Sequence, residues 1–180
     1  MPIMQVNGVP LHYHVKGKGT PIVFIHPPFI ASQEFRYQAY QLSERYKTIT
    51  FDIRGHGHSG SSDAPLTFPL IVEDMKQLLN ALQLEQAYVC GYSTGAMVAL
   101  EALLTYPHRF KGGILVSGFS EISDPLTRFR ILASIIASAK PFKAMLGFSI
   151  SWGNADNRLT FDNLRNDAKH GDPVKWKEYS

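Results

Sequence analysis

Four short segments rich in apolar and β-branched residues do most to constrain the fold of this 180-residue chain. They are 22–25, 48–51, 87–90 and 113–117. Runs of this length, bounded by turn residues, are typical of strands that are covered on both faces. The segments between them have helical spacing. Strands that alternate with helices in this way predict an α/β fold with a mainly parallel sheet flanked by helices.

The longest of the intervening helices is predicted from the spacing of its apolar residues and from its first turn. The residues that recur on one helical face are Ile71, Met75, Leu78, Leu79 and Leu82. Thr67 is placed to cap this helix at its N-terminus. Two further helices are predicted, at 33–45 and at 96–106, and the second must end before Pro107.

A further strand is predicted at 11–15, where apolar and polar residues alternate. The alternation places His12 and His14 on the same face. Two histidines at this spacing are compatible with a metal ion, but the sequence shows no third ligand beside them. We therefore expect this face to be exposed to solvent and predict no metal site.

The regular alternation of strands and helices ends after residue 118. Helical segments then follow one another without another clear strand. The predicted organisation is an α/β core at 1–118 followed by a helical region at 119–180.

The composition excludes several classes of protein. The formal net charge of +3 is spread along the chain and forms no basic stripe, so we expect no nucleic-acid partner. The single cysteine, Cys90, excludes a disulfide framework and a multi-cysteine zinc site. No secretion signal is visible, and Lys140 and Lys143 interrupt the apolar stretch 131–150. We therefore expect a cytoplasmic protein without a membrane partner.

The segment Gly91-Tyr92-Ser93-Thr94-Gly95 lies between a predicted strand and a predicted helix. A serine on so sharp a turn adopts a strained backbone, and side chains two residues before and after it would collide. Glycine at positions 91 and 95 removes that collision. The turn lifts the Ser93 hydroxyl away from the sheet, where it can act as a nucleophile. We therefore predict a positive φ at Ser93 and an adjacent apolar pocket.

Two more motifs, together with this turn, make the sequence similar to the α/β-hydrolase family. Residues 22–28 correspond to the strand that leads into the family's oxyanion loop, and residues 52–59 match its Asp-x-Arg-Gly-x-Gly-x-Ser segment. The resemblance covers 1–118 closely and 119–180 only loosely, as the start of a helical cap. It implies strands 1–6 of the usual eight and a cap that is incomplete in this sequence.

The resemblance also implies roles for individual residues. Ser93 would be the nucleophile, and the amide of Thr94 would donate to the oxyanion. The family's second donor corresponds to Pro28, which has no N–H, so Phe29 is the alternative donor. The residues expected to contact substrate are His26, Pro28, Phe29, Tyr92 and Phe119. The residues expected to shape the site are Gly91, Gly95, Asp52, Arg54 and Gly55.

The general base of a serine hydrolase is not evident in the sequence. In the family an Asp or Glu and then a His follow the serine, after strands seven and eight. The histidines downstream of Ser93 are His108, predicted at the opposite end of the sheet, and His170, in the helical region. We expect neither to reach Ser93, so the sequence resembles the N-terminal two-thirds of a hydrolase.

We interpret the chain as a serine hydrolase of small apolar esters that forms an acyl-enzyme on Ser93 and needs no cofactor. Acyl transfer and carbon–carbon bond hydrolysis use the same turn and remain alternatives. An alternative of another class is a catalytically incomplete scaffold that binds a ligand or a partner protein. The apolar strand at 113–117 has no later strand to pair with, which predicts self-association through residues 114–117.

Overall fold

The computed structural model describes residues 2–119, 123–137 and 143–179. The strands are β1 (Ile3–Val6), β2 (Val9–Lys16), β3 (Pro21–Ile25), β4 (Lys47–Phe51), β5 (Ala87–Tyr92) and β6 (Phe110–Val116). The helices are α1 (Arg36–Leu42), α2 (Phe68–Ala81), α3 (Thr94–Thr105), α4 (Pro125–Ala137), α5 (Lys143–Asn154), α6 (Arg158–His170) and α7 (Pro173–Tyr179), and a short 3₁₀ helix spans Ser32–Phe35. The predicted α/β class is confirmed, although the sequence patterns did not indicate β1.

The strands within these ranges form one sheet in the order β1-β2-β4-β3-β5-β6. Strand β2 runs antiparallel to β1 and β4, whereas β4, β3, β5 and β6 are mutually parallel. In the register of the sheet Ile25 lies beside Gly91, and Tyr92 lies beside Val116. The carboxyl ends of β3, β5 and β6 therefore meet at one edge, which brings the loops that follow them together.

Helix α2 covers one face of this sheet as its spacing predicts. The residues that it buries are Ile71, Val72, Asp74, Met75, Leu78 and Leu79. The Thr67 hydroxyl accepts a hydrogen bond from the amide of Leu70 at 3.3 Å, which confirms the predicted cap. Each large apolar side chain buried in this way contributes about 1.5–3 kcal/mol to the free energy of unfolding.

Strand β2 departs from the sequence-based expectation. His12 is 1% exposed, because its ring is covered by Asp52 and by the loop after β4. The prediction that this residue faces solvent is therefore wrong. Alternation along a strand identifies the two faces, but it does not reveal that a loop from elsewhere will cover one of them.

Helices α4 to α7 form the described part of the helical region. Helix α4 exposes a row of apolar side chains, whereas α7 packs its aromatic residues against loops of the core. The helices in the described ranges include none that is both long and apolar enough to cross a bilayer.

Candidate active site

Ser93 occupies the turn between β5 and α3, at the edge where the parallel strands end. Its backbone has φ 54° and ψ −123°, so the predicted positive φ is confirmed. Its amide donates to the carbonyl of Val116 at 2.9 Å, which ties the turn to the neighbouring strand β6. A left-handed conformation costs a non-glycine residue about 1–2 kcal/mol. The surrounding strand and helix hold the serine in this strained conformation.

The two glycines of the turn have the steric reason that the sequence predicts. A Cβ at position 91 would collide with the carbonyl oxygen of Gly95. A Cβ at position 95 would collide with the carbonyl oxygen of Ile25, at the end of β3. Glycine therefore lets helix α3 begin close to two strands, and Ser93 at this turn lines a cavity.

The cavity beside Ser93 has a volume of about 370 Å³ and is lined mainly by apolar side chains. The predicted site residues that line it with Ser93 are Pro28, Phe29, Tyr92, Thr94 and Phe119. Helices α4 and α5 contribute Ile131 and Ile150 to its wall. Polar groups are few: the Tyr92 hydroxyl donates to Asn154 Oδ1 at 3.3 Å. The cavity can therefore take a small apolar group next to the serine.

Two backbone amides beside the cavity are free to donate. Thr94 is the first residue of α3, so its amide has no acceptor within the helix. Phe29 has φ 76°, and its amide follows Pro28, which lacks an N–H. In the described part of the chain neither the Thr94 amide nor the Phe29 amide has a hydrogen-bond partner. Such amides at a helix N-terminus and in a strained loop are suited to stabilise an oxyanion.

His26 lies behind the cavity, not in its lining. Its Nδ1 donates to the carbonyl of Pro27 at 2.8 Å, and its Nε2 accepts from the amide of Ile53 at 2.9 Å. Complete burial lowers the pKa of His26, so the ring is neutral at pH 7. The structure thus shows this histidine bracing two loops, and it does not place the ring beside a substrate in the cavity.

Asp52 is the centre of the glycine-rich loop after β4. Its Oδ1 accepts from the amide and the hydroxyl of Ser32, and its Oδ2 accepts from His12 Nδ1 and the amide of His58, at 2.5–2.9 Å. Burial alone raises the pKa of Asp52, but these hydrogen bonds outweigh it and hold the pKa well below its usual range. A Cβ at Gly57 would collide with this carboxylate. The position of the Asp52 carboxylate therefore requires glycine at position 57.

Arg54 braces the same loop through a buried ion pair, and its partner, Asp74, was not identified from the sequence. Its Nε donates to Asp74 Oδ2 at 2.6 Å, and its Nη2 donates to the other oxygen of that carboxylate. Nη1 also donates to the hydroxyl of Ser62 at 3.0 Å. The available signal was Asp74 itself, a charged residue on the apolar face of α2.

The donor atoms of His12, Asp52 and His58 lie within 4.8 Å of one another, a grouping that is able to hold a metal ion. The sequence shows no third ligand beside His12 and His14, but the fold brings Asp52 and His58 next to His12. The arrangement nevertheless fits a hydrogen-bonded brace, because all the contacts of Asp52 are already made by N–H and O–H donors.

No histidine among the described residues is hydrogen-bonded to the Ser93 hydroxyl, as predicted. The carbonyl of His108 accepts from Gln86, which precedes β5, so His108 lies at the opposite end of that strand from Ser93. His170 Nδ1 contacts the carbonyl of Asn166 at 2.9 Å, and its ring stacks on His58. The described residues therefore bring together a strained serine, an apolar cavity and two unpartnered backbone amides, with no imidazole hydrogen-bonded to the serine.

A family model described as the alpha/beta hydrolase fold matches residues 20–141. The chain belongs to the α/β-hydrolase family. It is 28% identical over 142 residues to a putative carbamate hydrolase, RutD, of Azorhizobium caulinodans, a match that covers 78% of this chain and 54% of that protein. It is 37% identical over 111 residues to an epoxide hydrolase of Caballeronia sordidicola, covering 60% of this chain and 34% of that one.

An esterase from Exiguobacterium antarcticum has the same fold, with a TM-score of 0.84 and 18% sequence identity. The superposition covers 98% of this chain and 70% of the esterase. The chain thus spans about half or less of the length of the two sequence relatives. All three are hydrolases by name.

Proposed function

We propose that this α/β-hydrolase is a serine hydrolase that cleaves small apolar esters through an acyl-enzyme on Ser93. The observation that carries the proposal is the strained serine in the lining of an apolar cavity, with two unpartnered amides beside the cavity. A nucleophile, a site for the acyl group and oxyanion donors are the parts that ester cleavage needs. The proposed location of this activity is the cytoplasm, as predicted from the sequence.

In the proposed reaction, Ser93 Oγ attacks the ester carbonyl and transfers its proton to a general base. The amides of Thr94 and Phe29 donate to the oxygen that becomes negatively charged. When the carbonyl re-forms, the alcohol leaves with that proton, and the acyl group remains on Oγ. Water then attacks the acyl-enzyme by the same route and releases the acid. In this proposal the base is a histidine, oriented by an acidic residue, that lies outside this sequence.

The proposal is tested by following nitrophenolate release from p-nitrophenyl acetate and butyrate with the wild-type and Ser93→Ala proteins. In a protein that contains the proposed histidine base, we expect the substitution to lower the rate by about 10³-fold or more, as for other serine nucleophiles. Ser43→Ala is the matched control, because Ser43 is a half-buried serine at another helix end, away from the cavity. Equal rates for wild type and Ser93→Ala would contradict the proposal, as would an acyl adduct on a peptide that lacks Ser93.

One observation favours a second candidate function, a scaffold that binds a ligand without cleaving it. No described imidazole contacts the Ser93 hydroxyl, so the nucleophile is not activated by these residues. A non-hydrolysable ether analogue of the butyrate ester separates the two candidates. Binding of the ether without Ser93-dependent hydrolysis of the ester would support the scaffold.

A further inference from the structure

The loop between β3 and the 3₁₀ helix lacks two of the backbone amides that could brace it. Pro27 and Pro28 have no N–H, so two consecutive donors are missing from the segment that leads to Phe29. One of its carbonyls, that of Pro27, is bonded by the ring of His26. Support for the rest of the loop has to come from groups elsewhere in the chain.

A tyrosine of the last described helix supplies one such support. The Tyr179 hydroxyl donates to the carbonyl of His26 at 2.7 Å, across 153 positions of the sequence. Both residues are fully buried, so this hydrogen bond does not compete with solvent. It fixes the carbonyl immediately before the two prolines.

A tryptophan of the same helix holds the other end of the loop. The rings of Trp176 and Phe29 meet edge to face, with their centroids 5.4 Å apart. Leu146 and Ala168 complete the buried cluster around the Phe29 ring. Phe29 is held in the left-handed region by this packing, since an unconstrained phenylalanine would leave it. The direction of the Phe29 amide is thereby set by the position of its side chain.

Helix α7 is itself fastened to the glycine-rich loop. The amide of Asp172 donates to the carbonyl of Gly55 at 2.7 Å, and Lys175 Nζ donates to the carbonyl of Ala64, also at 2.7 Å. The stem of Lys175 crosses Gly55 so closely that a Cβ there would lie 2.5 Å from Lys175 Cγ. The helix therefore has a defined position from which to hold the loop.

We propose that Tyr179 and Trp176 are positioning residues that aim the Phe29 amide at the oxyanion. The proposal rests on the proposed function, because it assigns these two side chains a part in the same site. They act through the loop and contact neither the substrate nor Ser93. Their role is consistent with Pro27 and Pro28, which remove two of the amides that could hold the loop.

The test compares Tyr179→Phe with Tyr37→Phe, and Trp176→Leu with Trp152→Leu. The control residues Tyr37 and Trp152 are both more than 70% exposed, so each pair removes the same group from a buried and an exposed position. Steady-state kinetics with p-nitrophenyl butyrate give kcat and KM separately. Hydrogen exchange of the Ile53 and Ser32 amides reports on the loop independently of turnover, because these amides bond to His26 and to Asp52.

For Tyr179→Phe we expect kcat to fall about tenfold with KM within about twofold, since one oxyanion donor is worth about 10²–10³ when it is removed entirely. Trp176→Leu should act in the same direction and more strongly. In both variants the Ile53 and Ser32 amides should exchange faster, while the exchange rate of the Val89 amide in β5 should be unchanged. The two control variants should resemble the wild type.

Unchanged exchange at Ile53 and Ser32 would overturn the proposal, because the loop would then not depend on α7. Equal acceleration at Val89 would also overturn it, because the substitution would then loosen the whole protein. Unchanged kcat in an active enzyme would also overturn it. If the wild-type protein shows no Ser93-dependent turnover, the proposed function fails, and the exchange data alone decide whether α7 positions the loop.

Discussion

Helices α2 and α4 have nearly the same length, 14 and 13 residues, and opposite environments. In α2, Met75 and Leu78 are completely buried against the sheet. In α4, Phe129 and Leu132 are 67% and 56% exposed. The comparison shows that an apolar residue on a helix becomes part of a core only where another element covers it, and here the sheet covers α2.

The same contrast holds for two buried carboxylates. Asp52, in the core, has both oxygens fully hydrogen-bonded, whereas Asp167 Oδ2, in α6, has no partner among the described residues. Burial raises the pKa of Asp167 to about 7, and the nearby charge of Asp52 adds to that effect. The surroundings of Asp52 thus stabilise its ionised form, whereas the surroundings of Asp167 disfavour the ionised form.

The largest difference between the core and the helical region is expected when one partner of an ion pair is removed. Asp74→Ala leaves Arg54 buried without its carboxylate and should lower the free energy of unfolding by about 3–5 kcal/mol. Asp162→Ala breaks the exposed pair with Arg158 and should change it by less than about 1 kcal/mol. Urea unfolding followed by circular dichroism measures both. Similar losses of stability in the two variants would contradict the difference between the buried and the exposed ion pair.

A matched pair of leucines tests the apolar contrast. Leu78→Ala should lower the free energy of unfolding by about 2–5 kcal/mol, because it leaves a cavity under α2. Leu132→Ala should change it by no more than about 0.5 kcal/mol, because its side chain is mostly in solvent. The midpoints and slopes of urea unfolding give both values. A large loss for Leu132→Ala would mean that α4 is covered in solution.

The two carboxylates should respond to pH with opposite signs. The folded pKa of Asp167, about 7, lies above its unfolded value near 3.8, so the folded state binds more protons between these pH values. Stability from this group is present at acid pH and is lost as the pH rises toward 7. The folded pKa of Asp52 is lowered, so its contribution is present above about pH 4 and is lost on acidification. The groups that face Asp167 are His12 and Asp52.

Asn substitutions measured by urea unfolding at pH 4 and pH 8 check this difference. Asp167→Asn should raise the free energy of unfolding at pH 8 by about 1–3 kcal/mol and have little effect at pH 4, where the acid is already protonated. Asp52→Asn should lower it at pH 8. A destabilised Asp167→Asn protein at pH 8 would show that this carboxylate has a partner in solution.

The smallest expected effect concerns strand β6, the edge strand of the sheet, which leaves apolar side chains exposed. Ile114, Leu115 and Val116 are 43–47% exposed there. We expect the protein to associate through this edge, and Leu115→Lys to weaken the association by about tenfold, or about 1.4 kcal/mol. Sedimentation velocity at several concentrations measures it. Ile3→Lys, on the opposite edge strand β1, is the control, and equal effects of the two would exclude β6 as the contact.

Much of the fold and the reactive end of the site could be predicted from local sequence. The Thr67 cap, the buried face of α2 and the turn at Ser93 each depend on residues within a few positions of one another. Hydrophobic period, capping and glycine sterics act over such distances, and so the sequence carries them directly.

The remaining features depend on segments that the chain brings together from far apart. His12 is buried because the loop containing Asp52 covers it, and Arg54 finds its partner Asp74 on another element. Tyr179 bonds to a carbonyl 153 residues earlier. Sequence alone determined the α/β class, the strained serine and the glycines around it, because their causes are local steric and hydrophobic patterns. Only the tertiary structure decided which polar groups are paired, which apolar faces are covered and what holds the oxyanion loop, because burial and hydrogen bonding are properties of the packed chain.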